Sequence, residues 1–328
     1  MDPVLVEVTR GGLVESRHCG AVAVVDDSGG VALQAGDIDM AVFPRSAVKA
    51  LQALPLVETG AADRLGLTDA ELALACASHN GEAAHVAAAE SMLRKAGRGA
   101  DCLECGVQWP SLQAATLALA ASGRTATALH NNCSGKHSGF ICLACDRGDD
   151  PAGYVGPDHP TMRAVTAALA ETTGTALDAR NRGTDGCSIP TYAIPLRALA
   201  LAFARFATGH GLPADRATAA ARIRHAVAES PFMVGGTGRF DTEVMTALGA
   251  RAFVKVGAEG VHCAALPDLG LGIAVKCDDG AGRAAELVMA TLIARFLGDG
   301  VPERWLHPVL RNWNGIEVGT LRPAASLD

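Results

Sequence analysis

The chain has 328 residues, 49% of them hydrophobic and 19% charged, with a formal net charge of −7 and a mean hydropathy of +0.21. This excludes a disordered chain, since a sequence of this length and apolarity buries a substantial core, and it suits Ala-rich helices joined by tight turns. Acidic residues outnumber basic ones, with no Lys/Arg run and no interleaved aromatics, so a nucleic-acid surface is excluded and small molecules are the expected partners.

Met1-Asp2-Pro3-Val4 lacks the basic start and apolar run of a signal peptide, and no stretch reaches the length of a membrane helix. A cytoplasmic protein without a membrane partner is expected. In a reducing compartment its ten cysteines read as free thiols, metal ligands or small core residues rather than a disulfide framework.

Taken in order, residues 4–8 and 20–25 read as strands, and the Asp26-Asp27-Ser28-Gly29-Gly30 turn folds the second back onto a strand at 31–33. A helix starts at Ser46. Helical periodicity then dominates, with Thr68 capping a helix through Ala75 and further helices over 82–95, 111–121, 134–145, 161–171, 196–208 and 214–227. The period returns to two at 252–256, 261–265 and 271–276, read as antiparallel strands, before a long helix over 282–296. The expected architecture is α/β (α+β). Both termini contribute to one antiparallel sheet with flanking helices, giving a lobe of about 1–60 plus 229–328, and 61–228 forms a mainly helical middle lobe.

Four clusters carry chemistry, beside a rival cysteine set and a glycine turn. Ser46-Ala47-Val48-Lys49 is Ser-x-x-Lys at a helix start, and residues three apart share a helix face, so a lysine kept dry can serve as base toward a hydroxyl nucleophile. The same residues also read as a capping serine and a solvated lysine. In Ser78-His79-Asn80-Gly81-Glu82, between two helices, Ser78 is a second hydroxyl nucleophile or proton relay, and His79 or Asn80 can orient a substrate amide; plain helix capping is the alternative. Cys133 and Cys187 lie in two distant polar turns and together can hold zinc, with Lys136 as an unusual amine ligand or His137 as the more ordinary one. Composition alone favours two small buried cysteines. The pairs Cys102/Cys105 and Cys142/Cys145 make a rival four-thiolate set, but the second pair sits in an apolar helical run without a glycine knuckle. Lys255 lies on a strand before a glycine turn, and a strand cation beside a Ser-x-x-Lys helix resembles the arrangement of serine acyltransferases of the penicillin-recognising type. Gly235-Gly236-Thr237-Gly238-Arg239 lacks the lysine of a phosphate loop and reads as a tight turn presenting backbone N–H groups.

Over nearly its whole length the chain resembles the rhizobial-type L-asparaginases, a third structural class also called asparaginase II. The resemblance is carried by Thr9-Arg10-Gly11-Gly12 with Glu15-Ser16, Arg45-Ser46-Ala47-Val48-Lys49, Ser78-His79-Asn80-Gly81-Glu82, Asn132-Cys133-Ser134-Gly135-Lys136-His137, Asp185-Gly186-Cys187-Ser188-Ile189-Pro190 and Lys255-Val256-Gly257-Ala258-Glu259-Gly260. It implies a fold like serine β-lactamases and glutaminases, a homodimer, and hydrolysis of L-asparagine to L-aspartate and ammonia. By position it implies two active-site pairs, Ser46 with Lys49 and Ser78 with Lys255. It further implies zinc held near the substrate by Cys133, Lys136 and Cys187, with Asp185 on the substrate amino group and Arg45, His79 and Asn80 as further substrate contacts. The expected mechanism is attack by Ser46 with Lys49 as base, while Ser78 and Lys255 relay protons or polarise the substrate. A glutaminase or other small-amide hydrolase, and a zinc-dependent ligand sensor without turnover, are the alternatives.

Overall fold

The computed structural model describes residues 2–327. The strands are β1 (Val4–Arg10), β2 (Leu13–Asp26), β3 (Val31–Ala35), β4 (Ala41–Val42), β5 (Arg182–Thr184), β6 (Pro190–Tyr192), β7 (Ile194–Pro195), β8 (Phe253–Val256), β9 (Val261–Leu266), β10 (Leu271–Cys277), β11 (Val309–Arg311) and β12 (Glu317–Pro323). Eight of them form one sheet in the order β11-β12-β1-β2-β10-β9-β8, with β3 also paired to β2. Its described pairings are all antiparallel. The two ends of the chain thus meet at β1 and β12, as expected. The hairpin across residues 26–30 also forms, closed by Asp26 N–H to Gly30 O at 2.8 Å.

Burial follows composition along β2. Its first residues alternate between half-buried and exposed, whereas Val22, Ala23, Val24 and Val25 are fully buried where β10 and β3 flank them. β9 is buried throughout because helices cover both faces: Leu196–Thr208 packs on β10, β2 and β9, and Gly282–Leu297 packs on β10, β9, β12 and β1. Gly272 makes the first of these contacts possible, since a Cβ there would lie 1.9 Å from Ala200 O. Removing this apolar surface from water, at about 25 cal/mol per Å², is the main force holding helix to sheet.

In the helical part, Ser134–Asp146 is the central element, buried on every side from Ser134 through Ala144. A helix surrounded on all faces needs small residues where neighbours cross. Gly135 meets that need against Leu74, whose carbonyl would stand 2.4 Å from an added Cβ. Asp69–Ala75, Ala83–Lys95 and Pro160–Thr173 pack around it.

Candidate active site

The 77–80 loop is stitched between two other segments by its backbone. Ser78 N–H donates to Val234 O at 3.0 Å, His79 N–H to Asn132 O at 3.2 Å and Asn80 N–H to Gly235 O at 3.0 Å. This places Ser78, 5% exposed, against the fully buried Lys49. The Lys49 amine donates to Ala77 O at 2.6 Å, to Ser78 Oγ at 2.9 Å and to Cys133 Sγ at 3.1 Å. Ser46 sits in a 3₁₀ turn, Arg45–Val48, and is half-buried. Among the described residues its hydroxyl has no hydrogen bond. The Ser-x-x-Lys spacing therefore brings the two residues onto one turn, but the lysine faces Ser78, because three acceptors from distant segments capture its amine.

His79 and Asn80 spend their polar atoms on the protein. Gly81 N–H donates to His79 Nδ1 at 3.0 Å, which leaves Nε2 as the protonated nitrogen, donating to Ser134 Oγ at 3.0 Å. Burial, with the charges of His85 and Lys49, holds this imidazole well below its ordinary pKa and neutral. Asn80 donates to Thr237 O at 3.0 Å and accepts from Ser111 Oγ at 3.1 Å and Arg239 Nη1 at 3.3 Å. The N–H groups expected of the glycine turn are likewise used internally, Gly236 N–H on Thr242 Oγ1 and Thr237 N–H on Glu82 Oε1. Gly236, at φ +100°, lets that turn approach: a Cβ would lie 2.5 Å from Glu82 Oε1.

Cys133 caps the Ser134–Asp146 helix, and Lys136 in its first turn donates to Cys187 Sγ at 3.1 Å. The Cys187 thiol hydrogen-bonds Cys133 and, with Lys49 and Lys136 alongside, holds Cys133 well below the ordinary thiol range against the effect of burial. Burial pulls the Lys136 amine down, but the Cys133 thiolate, the Cys187 sulfur and Asp185 outweigh it and hold it up to about 12. His137 is directed elsewhere, its Nδ1 on Tyr154 Oη at 2.6 Å. Cys187 stands in the β5–β6 turn, 3.9 Å from Asp185, and Arg45 Nε donates to Asp185 Oδ1 at 2.6 Å. The two CxxC pairs disperse: Cys105 bonds Ala128 O, Cys142 bonds Met92 O and Cys145 lies beside Arg98.

Lys255, fully buried on β8, donates to Val256 O at 3.0 Å and to Asp241 Oδ2 at 3.4 Å. No hydrogen bond joins it to Ser78 among the described residues, so the expected second Ser-Lys contact is replaced by Lys49 with Ser78. Burial draws the Lys255 amine down to about 8 despite Asp241. A cleft of about 440 Å³ is lined by Phe43, Arg45, Thr184, Glu259 and Lys276 among others, and it meets the site through Arg45, not through Ser46, Lys49, Ser78 or Lys255. Arg45, Ser188 and Glu259 are the described non-glycine residues with positive φ, at +51°, +78° and +59°. Arg45 and Glu259 line the cleft and Ser188 closes the turn of Asp185 and Cys187, positions where strained backbone is characteristically held.

The family model for L-asparaginase II matches residues 6–323. The chain belongs to that family. Solved structures similar to this asparaginase II family member include a β-lactamase from Mycobacterium bovis, at 14% identity over 84% of this chain and 94% of that one, TM-score 0.42. Mglu in its L-glutamate-binding form matches at 19% identity over 92% of this chain and 66% of its own, TM-score 0.41. A mutant simvastatin synthase from Aspergillus terreus matches at 11% identity over 79% and 86%, TM-score 0.40. No curated protein matches the sequence. No described helix is long and apolar enough to cross a membrane.

Whether the site suits the zinc expected for this asparaginase II family member rests on its donor set. Among the described residues no three His, Cys, Asp or Glu side chains stand together as a metal group. What converges is two sulfurs and one nitrogen, from Cys133, Cys187 and Lys136. That set fits zinc's N/S preference, provided Lys136 gives up its proton on binding.

Proposed function

We propose that this asparaginase II family member hydrolyses L-asparagine to L-aspartate and ammonia through a serine ester. The observation that supports it best is the buried Lys49 amine 2.9 Å from Ser78 Oγ, on the turn that also carries Ser46. Ser46, half-buried and among the described residues without a hydrogen-bond partner, attacks the side-chain carbonyl carbon; its proton passes by way of Ser78 to Lys49 once that amine is neutral. The C–N bond then breaks, the proton goes to the leaving nitrogen, and ammonia departs. Water, deprotonated through the same relay, cleaves the ester and releases aspartate. Lys255 supplies positive charge toward the oxyanion, and Arg45 and Asp185 take the substrate carboxylate and ammonium. Cys133, Cys187 and Lys136 would hold zinc, which when bound supplies positive charge that orients the substrate. The assembly we expect is a homodimer.

The test is ammonia release from L-asparagine beside L-glutamine, with Ser46→Ala, Ser78→Ala and Lys49→Met variants and mass-spectrometric trapping of the ester. Asparagine turnover that falls about 10²–10⁴-fold in each variant is expected, with the ester on Ser46. Release from glutamine alone would move the substrate class to glutaminase. An ester found on Ser78 would exchange the two serines, and no release from either amide sinks the proposal.

A further inference from the structure

Asp241 was not marked by any motif, yet it is 2% exposed and lies directly behind Lys255. It is the second residue of the Phe240–Leu248 helix. Its Oδ2 accepts from the Lys255 amine at 3.4 Å and from Val256 N–H at 3.0 Å, and its Oδ1 stands 3.0 Å from His262 Nε2. His262 is itself fully buried and fixed edge-on against Phe240, with ring centroids 4.9 Å apart. A carboxylate taken from water and given three donors is stabilised as an anion, and it in turn fixes the donors. We infer that Asp241 is the positioning residue of Lys255, a buried counter-charge shared with His262 that keeps the amine cationic and in one place beside Lys49. The inference rests on reading Lys255 as part of the hydrolytic site.

The charges around that amine make the balance close. Lys49 faces it from the helix Lys49–Gln52, Arg239 from the entry to Phe240–Leu248, Cys76 from the end of Asp69–Ala75 and Cys263 with His262 from β9. Glu286, on the Gly282–Leu297 helix, acts on Asp241 and His262 from behind and is itself raised by burial. Burial opposes the ammonium, and two cations add to that; among these groups Asp241 is the anion that contacts it. Losing that charge while keeping an acceptor frees the proton.

Asp241→Asn tests this. Turnover above pH 8 falls by up to about tenfold as the alkaline limb of the rate profile moves to lower pH by about one unit. In a Lys255→Met background, adding Asp241→Asn changes kcat by less than about twofold, because the residue through which it acts is gone. A readout independent of activity is the titration of ¹³Cε-labelled lysine by NMR. The chain has five lysines, so the Lys255 signal is assigned by its loss in Lys255→Met. Its midpoint is expected to drop in Asp241→Asn. An unchanged midpoint and an unshifted alkaline limb, with only the melting temperature lowered, would make Asp241 purely structural and overturn the inference. If the wild type turned over no amide, the proposed reaction would fail while the lysine titration still decided this point. Should Asp241→Asn not fold, His262→Gln serves instead: with one donor weakened, Asp241 holds Lys255 more strongly and the midpoint rises, and a midpoint that stays put rejects the network.

Discussion

At the scale of single residues, Lys49 shows what spacing in sequence does and does not reveal. The motif located Lys49 and Ser46, and a separate cluster Ser78, but not which hydroxyl the amine meets, since that depends on where Val234, Asn132 and Gly235 hold the 77–80 loop. Asp241 and His262 were illegible for the same reason: their chemistry comes from a helix start and a strand meeting behind Lys255. The cysteine turns were legible in composition, and it took the fold to select Lys136 over His137 as the neighbour of Cys187. Lys49→Met removes an ammonium that three buried acceptors share. Leaving Ala77 O without a donor costs about 1–3 kcal/mol, while relief of burying a charge offsets part of it. Turnover is therefore expected to fall about 10²–10⁴-fold with a melting temperature lowered by only a few degrees, read by calorimetry on the same sample. Collapse of the fold in this variant would make Lys49 a structural residue first.

Elements were readable where local signals agreed with tertiary burial. Leu196–Thr208 falls at its expected bounds because one stripe of Leu, Ala and Phe faces the sheet and Gly209, at φ +80°, ends it. Phe240–Leu248 was not expected, since its short apolar face follows a glycine-rich run that reads as a turn. The C-terminal hairpin β11–β12 was also missed, although Asn314-Gly315 was there to signal it; its exposed strands lack the alternation of a half-buried pair. The helix at Ser46 proved shorter and partly 3₁₀, broken before Pro55. Thr68 offers the clearest test at this scale. Its hydroxyl accepts from Glu71 N–H at 3.3 Å, and Glu71 Oε2 accepts from Thr68 N–H at 2.7 Å while also meeting Lys95 at 2.6 Å. Thr68→Ala should cost about 1 kcal/mol, seen as a melting temperature lower by about 2–4 °C. Turnover should stay within about twofold of wild type. A loss of turnover without a loss of stability would instead tie this cap to the Ser78 loop.

For the molecule as a whole, the groups that folding forces to stay neutral set its stability against pH on both sides. His79 and His137 are fully buried, and burial holds both imidazoles well below 6.5. Below that value the unfolded chain takes up protons the folded chain refuses, so stability falls as pH falls, each group contributing at most about 1.4 kcal/mol per unit. On the alkaline side, burial pushes Cys76, Cys105, Cys142 and Cys277 up to about 12 from an ordinary 9.0. Above 9 the unfolded chain sheds protons the folded chain keeps, so stability falls as pH rises. Lys255, drawn down to about 8, acts oppositely between 8 and 10.5, where the unfolded lysine binds more proton; four thiols outweigh one amine. Cys133, held well below 9, also binds less proton folded than unfolded up to 9, so the melting temperature should rise with pH to a maximum near about 9 and drop beyond it. His137→Gln, which keeps a partner for the Tyr154 hydroxyl, should flatten the acid side alone, and Cys142→Ala the alkaline side alone. A melting temperature that kept rising from pH 6.5 down to 5 would mean that the two imidazoles accept protons without unfolding, contrary to the burial that places them at the heart of the Ser134–Asp146 helix and its loop.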